Sequence, residues 1–141
     1  MTAGEDERLL PVIDDPDTAG HWAAAARGEV AVRTCHDCGT VLHMPRAHCF
    51  SCGGDDTFWR TVPGRARLYS WTVVEHQVHP AYPVPYTAVI VELEEPGGVR
   101  LGGYLPGRPE LRADQPMRVR FENLGDGTVL PQWEPVPGEE S

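Results

Sequence analysis

Long apolar runs are missing from this chain. None of its 141 residues lies in an apolar stretch of about 18, the least a membrane-spanning helix requires, so such a helix is excluded. Its start, Met1 to Arg8, lacks the basic and then apolar order of a secretory signal, so a cytoplasmic location is expected. Basic residues are scarce: 12 Lys plus Arg stand against 21 Asp plus Glu, a formal charge of -9. That balance repels a phosphate backbone unless the few bases gather on one face, so a nucleic-acid partner is disfavoured. Cysteine is limited to four residues, and in a reducing compartment two close pairs read as metal ligands rather than disulfides. No helical stretch long enough for crossovers separates the strand-like runs, which excludes an α/β fold. No internal repeat is visible.

What is present divides the chain by composition. The acids Glu5, Asp6, Glu7, Asp14, Asp15 and Asp17 crowd the start beside a single base, Arg8, as in a solvated tail over 1–16. Asp15-Pro16-Asp17 supplies a cap, a proline at the first helical position and an early acid, while Gly28 stands where a left-handed residue would end the run from Thr18 to Arg27. A helix is expected within 17–29, with Trp22 and Ala23 to Ala26 as a small apolar surface that docks on another body, in this chain or a partner. A metal module follows over 30–60, with little apolar content of its own. From Pro63-Gly64 onward β-branched and aromatic runs appear at Leu68–Val74, Tyr86–Leu93 and Val99–Leu105, then at Met117–Glu122 and Val129–Trp133. Five short strands between Gly and Pro turns predict a five-stranded OB-type barrel over 61–135, with a C-terminal tail at 136–141. The fold class is thus mainly β: an N-terminal helix, a rubredoxin-like zinc ribbon and the barrel. Residues 107–114 have room for a short helical turn. The segment Gln77 to Pro85, with Pro80, Pro83 and Pro85, cannot be ladder strand and is expected to be an exposed loop.

The sharpest signal is Cys35-His36-Asp37-Cys38, ten intervening residues, then Cys49-Phe50-Ser51-Cys52. Each pair is followed by glycine, Gly39 in one case and Gly53-Gly54 in the other, which lets backbone amides turn toward the sulfurs as four thiolates close a tetrahedron around Zn²⁺. A closed shell leaves no position for water, so one structural ion is expected, its binding energy standing in for a core this segment is too small to build. Iron satisfies the same sulfurs, and zinc is preferred on chemistry and availability rather than spacing. His36, His43 and His48 lie nearby and read as surface residues rather than ligands.

Catalytic machinery is scarce. Every cysteine is committed to metal, Ser51 and Ser70 have no nucleophile elbow or base, and Glu75-His76 with His79 is the one compact acid/base group. Solvent-facing or hydrogen-bonded histidines are the simpler reading of that group.

The line from Trp22 to Trp133 resembles the zinc-ribbon OB-fold family known as domain of unknown function thirty-five, described as acyl-CoA-associated. The resemblance rests on His21-Trp22, Arg27-Gly28-Glu29-Val30, the paired Cys-x-x-Cys-Gly knuckles and Pro45-Arg46 ahead of Cys49. It continues through Trp59, Gly64, Tyr69-Ser70-Trp71-Thr72-Val73-Val74, Pro85-Tyr86, Val91-Glu92-Leu93 and Leu130-Pro131. Phe50 departs from the proline that the family usually places after the third cysteine, a change that bears on turn rigidity rather than metal binding. The resemblance implies a non-catalytic subunit that works beside a thiolase-like enzyme acting on acyl-CoA thioesters, with a steroid side-chain retro-aldolase preferred over a ketothiolase or an HMG-CoA synthase. It also implies contacts to the CoA ester, for which Arg46, Arg60, Arg65 and Arg67 beside Trp71 are the candidates. Trp22, His79, Tyr82 and Tyr86 are the candidate partner contacts, the last three on or beside the proline loop. Two other classes compete: an OB-fold binder of single-stranded nucleic acid, and an autonomous acyl-CoA hydrolase or aldolase.

Overall fold

The computed structural model describes residues 8–137; Glu5, Asp6 and Glu7 of the expected tail, and residues 138–141, lie outside that range. The described chain forms two units, one of 11–64 with 121–130 and the other of 8–10, 65–120 and 131–137.

In the first unit, helix α1 spans Ala19–Ala26, strand β1 Val30–Cys35 and strand β2 Thr57–Val62. The helix starts later than Asp15-Pro16 suggests. The Asp15 carboxylate accepts the Asp17 N–H at 2.9 Å, and its backbone carbonyl accepts the N–H groups of Thr18 and Ala19, so Asp15 shapes a turn ahead of the first helical residue. At the other end the Gly28 N–H donates to Ala25 O and the Glu29 N–H to Ala24 O, both at 2.9 Å, with Gly28 at φ 77°. This is the Schellman arrangement, which satisfies two orphan carbonyls through a left-handed residue.

β1 and β2 pair antiparallel from Val30↔Val62 to Cys35↔Thr57, and α1 packs on this hairpin. The helix therefore docks within its own unit: Ala24 and Ala25 are buried with Val30, Ala31, Val32 and Val62, a small apolar core beyond what the composition of 30–60 suggested. Gly20 permits the close approach. A Cβ there would lie 2.3 Å from atoms of the Trp59 ring.

A five-stranded sheet is formed by β3 (Arg65–Val74), β4 (Tyr86–Leu93), β5 (Arg100–Pro106), β6 (Pro116–Gly125) and β7 (Thr128–Pro135). Their order is β5-β4-β3-β6-β7, so each expected strand is present and the β3 edge of the β3–β4–β5 meander is extended by the β6–β7 hairpin. Alternation of buried and solvent-facing residues along β4 places Thr87, Val89, Val91 and Leu93 inside. They meet Ala66, Leu68, Leu105, Met117 and Trp133 in the core. Gly103 of β5 is the small residue that admits the Trp133 indole; a Cβ there would come within 3.3 Å of Trp133 Cδ1. A β-bulge between Leu68 and Ser70 leaves Tyr69 without a partner across β4 and lifts it to solvent.

No helical turn forms over 107–114. Pro109 interrupts that segment, and it ends with Asp114 in the left-handed region at φ 67°, where its N–H reaches Leu68 O and Gln115 O meets the Leu68 N–H. The proline loop is irregular as expected, yet it folds back so that Ala81 is buried and His79 and Tyr82 are half-buried.

Candidate metal centre and ligand surfaces

The two knuckles have the same local build. Gly39 N–H returns to Cys35 O and Gly53 N–H to Cys49 O, each at 2.9 Å, and both glycines sit at φ 78°. That positive φ is the reason glycine follows each Cys-x-x-Cys. Cys35 is further fixed by its N–H to Thr40 O, and Cys49 by its N–H to Gly54 O, each 2.8 Å.

The ligand atoms of Cys35, Cys38, Cys49 and Cys52 all lie within 4.8 Å of one another. Cys35–Cys52 and Cys38–Cys49 sulfurs are 3.6 Å apart. A zinc–sulfur bond of about 2.3 Å gives a tetrahedron with edges of about 3.8 Å, so the four positions suit one ion. Backbone N–H groups of Ser51 and Cys52 point at Cys49 Sγ from 3.3 and 3.4 Å, and Gly54 N–H at Cys52 Sγ from 3.4 Å. These donors soften the charge of a four-thiolate shell. Cys35 and Cys49 are buried with Leu42, which closes the inner side of the site.

Four thiols this close do not ionise evenly. Cys38 is drawn down to about 6, first by the Thr40 hydroxyl against its sulfur at 3.1 Å. Cys49 is lowered as well, first by the Cys52 N–H. Cys52 is pushed up to about 12: the Gly54 N–H favours its thiolate, but the neighbouring sulfurs of Cys35 and Cys38 outweigh that. A divalent cation at the centre reverses the order of preference by attracting all four anions, so metal uptake expels the remaining thiol protons.

The residues singled out for CoA occupy separate places. Arg46 borders an open cleft of about 450 Å³ with Asp17, His48 and Phe50. Arg60 faces solvent on β2, opposite Val32. Arg65 and Arg67 line one cleft of about 430 Å³ with Glu94 and Arg118. Arg67 is held by the Glu94 carboxylate at 3.2 Å and by Asp114 O at 3.1 Å. Arg65 lies directly across the ladder from Arg118, which is neutralised by Glu134 at 2.8 Å. Arg65 itself has no carboxylate within 4.0 Å among the described residues. Trp71 is 37% exposed, opposite Val89.

Of the partner-contact candidates, Trp22 is half-buried on α1 with its ring edge-on to His21, 4.8 Å between centroids. His21 is held below the ordinary histidine range by burial and then by His43 nearby. His79, Tyr82 and Tyr86 do come together, and Tyr104 of β5, absent from the sequence reading, completes their cluster. The register that brings it there is not carried by sequence periodicity: the β4–β5 ladder sets Tyr104 opposite Ala88, on the face that carries Tyr86 two residues away.

The acid/base group does not assemble. Glu75 pairs with Arg108, His76 is exposed, and His79 Nδ1 accepts the Ala81 N–H at 3.0 Å. No helix among the described residues is long and apolar enough to cross a membrane.

A closed four-cysteine ribbon ahead of an OB-type barrel defines a zinc-ribbon OB-fold protein, whose metal site builds structure rather than reacts. The chain belongs to the ChsH2 family: its rubredoxin-like zinc ribbon domain matches residues 22–57 and its C-terminal OB-fold domain residues 59–122. Among solved structures it is similar to one described as an Ltp2-ChsH2(DUF35) aldolase, with 28% identity and a TM-score of 0.80 over 89% of this chain and 98% of that one. A DUF35 protein of unknown function from Sulfolobus solfataricus shares the fold, at 10% identity, with a TM-score of 0.57 over 86% of each chain. A curated relative from Thermomonospora curvata, a probable enoyl-CoA hydratase alpha subunit, is 34% identical over 95% of this chain. The chain spans 42% of that relative's length.

Proposed function

We propose that this chain is a non-catalytic accessory subunit that binds and supports a thiolase-like enzyme acting on acyl-CoA thioesters. A retro-aldolase of steroid side-chain degradation is the preferred partner. The observation that carries this reading is the likeness to the ChsH2 component of an aldolase across 98% of that component. The chemistry of the chain supports it: the thiols are spent on a closed metal shell, and Glu75, His76 and His79 do not converge on a reacting centre. In the proposed complex the partner supplies the reactive groups. This chain supplies a scaffold whose ribbon is held by one zinc ion, and Arg65, a barrel cation with no carboxylate partner among the described residues, is a candidate to meet a CoA phosphate.

A hydratase-linked role is the second reading, favoured by the relative in which the matching region is part of a longer hydratase subunit. The test is enzymatic. The purified chain, incubated alone with acyl-CoA thioesters, is expected to show no turnover, while aldol cleavage appears once the partner enzyme is added and depends on both. Turnover by the chain alone overturns the reading, and hydration in place of cleavage selects the second one.

A further inference from the structure

The rings of Tyr82, Tyr86 and Tyr104 contact one another on the barrel unit. Tyr86 and Tyr104 are 5.1 Å apart between centroids, Tyr82 and Tyr104 6.0 Å, and Tyr82 and Tyr86 6.4 Å. No two are stacked parallel; their interplanar angles are 41°, 69° and 49°. His79 packs edge-on against Tyr82 at 5.7 Å and is fixed by the Ala81 N–H on its Nδ1. The cluster is held from below by the β4–β5 ladder and by the Tyr104 N–H, which donates to Gln132 Oε1 at 2.8 Å.

A guanidinium packs against two of these rings. Arg8 Cζ lies 4.8 Å from the Tyr104 centroid and 5.6 Å from that of Tyr82. Arg8 belongs to a stretch, 8–15, with neither helix nor strand, and the next two residues, Leu9 and Leu10, are 67% and 52% exposed. The side chain that packs is the charged one, and the apolar ones stay in water. This inverts ordinary burial and marks the tyrosines as a site for a cation rather than for an apolar group. Arg100 covers the single ring of Tyr69 while bound to Glu92 of the neighbouring strand. That is local strand packing. The Arg8 contact joins an irregular segment to two of the three rings. The chain has no lysine at all, so every cation it offers is an arginine, the side chain best matched to an aromatic face.

We propose that Tyr82, Tyr86 and Tyr104 form an arginine-binding socket, filled in cis by Arg8 and open to an arginine from a partner chain once Arg8 leaves. Arg8 is then a guard: it covers the socket in the free subunit, and a protein that presents an arginine competes for the same rings. This goes beyond the accessory role and is read on the isolated chain, so its outcome is separate from that of the aldolase assay.

The test uses Arg8→Ala in the full chain, with zinc content and thermal unfolding confirming that the fold is retained. N-acetyl-arginine amide is titrated while the ring resonances of Tyr82, Tyr86 and Tyr104 are followed by NMR. N-acetyl-citrulline amide, the same shape without charge, is the control. The expected result is that Arg8→Ala responds at a concentration at least tenfold lower than wild type, that citrulline gives no saturable shift, and that Arg8→Lys falls between the two. An equal response in wild type and Arg8→Ala, or an equal response to citrulline, overturns the socket. So does the absence of any saturable response in Arg8→Ala.

Discussion

Replacing Gly20 by alanine sets two effects of opposite sign against each other. Gly20 lies within α1, where alanine improves intrinsic helix stability by about 0.5–1 kcal/mol. The new Cβ, however, would lie 2.3 Å from three atoms of the Trp59 ring. The indole is too rigid to yield by a bond rotation at its tip; it must swing as a whole, abandoning its place under the Arg33 guanidinium, whose Cζ is 5.8 Å from the ring centre. Overpacking of this kind costs about 1–3 kcal/mol. The clash therefore outweighs the helix gain, by up to about 2.5 kcal/mol, and each kcal/mol is a shift of about 4–8 °C in a unit of 60–100 residues. Thermal unfolding followed by Trp fluorescence, with zinc release to a chelator as the second probe, reads the difference. In a Trp59→Leu background the ring is gone and the same substitution should become stabilising. If Gly20→Ala raises the melting temperature in the presence of Trp59, the close approach of helix and hairpin is refuted.

Cys49→Ser removes a buried ligand whose sulfur accepts two backbone N–H groups, so bound zinc should fall from one per chain to none and the ribbon should lose its ordered amide signals, as measured by elemental analysis and NMR. Trp133 is wholly buried, and Trp133→Ala should destabilise the barrel by about 3–5 kcal/mol in urea unfolding. His21 titrates below its unfolded value of 6.5 because burial, then His43, disfavours its cation. Above that value the residue is neutral in both states and its effect is nil; below it the unfolded chain binds the extra proton, so stability falls with pH from there down to the folded pKa. His21→Gln should show a shallower loss between pH 6.5 and 5 than wild type in pH-dependent urea unfolding.

Features encoded over a few residues were legible in the sequence. The two knuckles, the left-handed Gly28 and all five barrel strands follow from spacing, turn chemistry and period-two alternation, each decided within about ten residues. Features set by distant contact were not. Arg8 in a cluster of acids reads as part of a solvated tail, and its place among the tyrosines depends on the β4–β5 register, which sequence periodicity does not carry. Ala24 and Ala25 are small on any scale; what buries them is the hairpin that Gly20 allows to come close. The turn-rich 107–114 segment offers no helix because Pro109 and the left-handed Asp114 commit its backbone to other partners. The CoA candidates were chosen for charge and nearness in sequence, and Arg67 turned out to be paired with Glu94 while Arg65 has no carboxylate within 4.0 Å among the described residues.

Affinity capture of the intact chain from its native cell, with mass spectrometry of what accompanies it, tests the central claim most directly. The account predicts one dominant companion at fixed stoichiometry, an enzyme that cleaves an acyl-CoA thioester only while this zinc-bearing chain is attached. A chain that emerges alone, or that carries single-stranded nucleic acid released by salt, would contradict it.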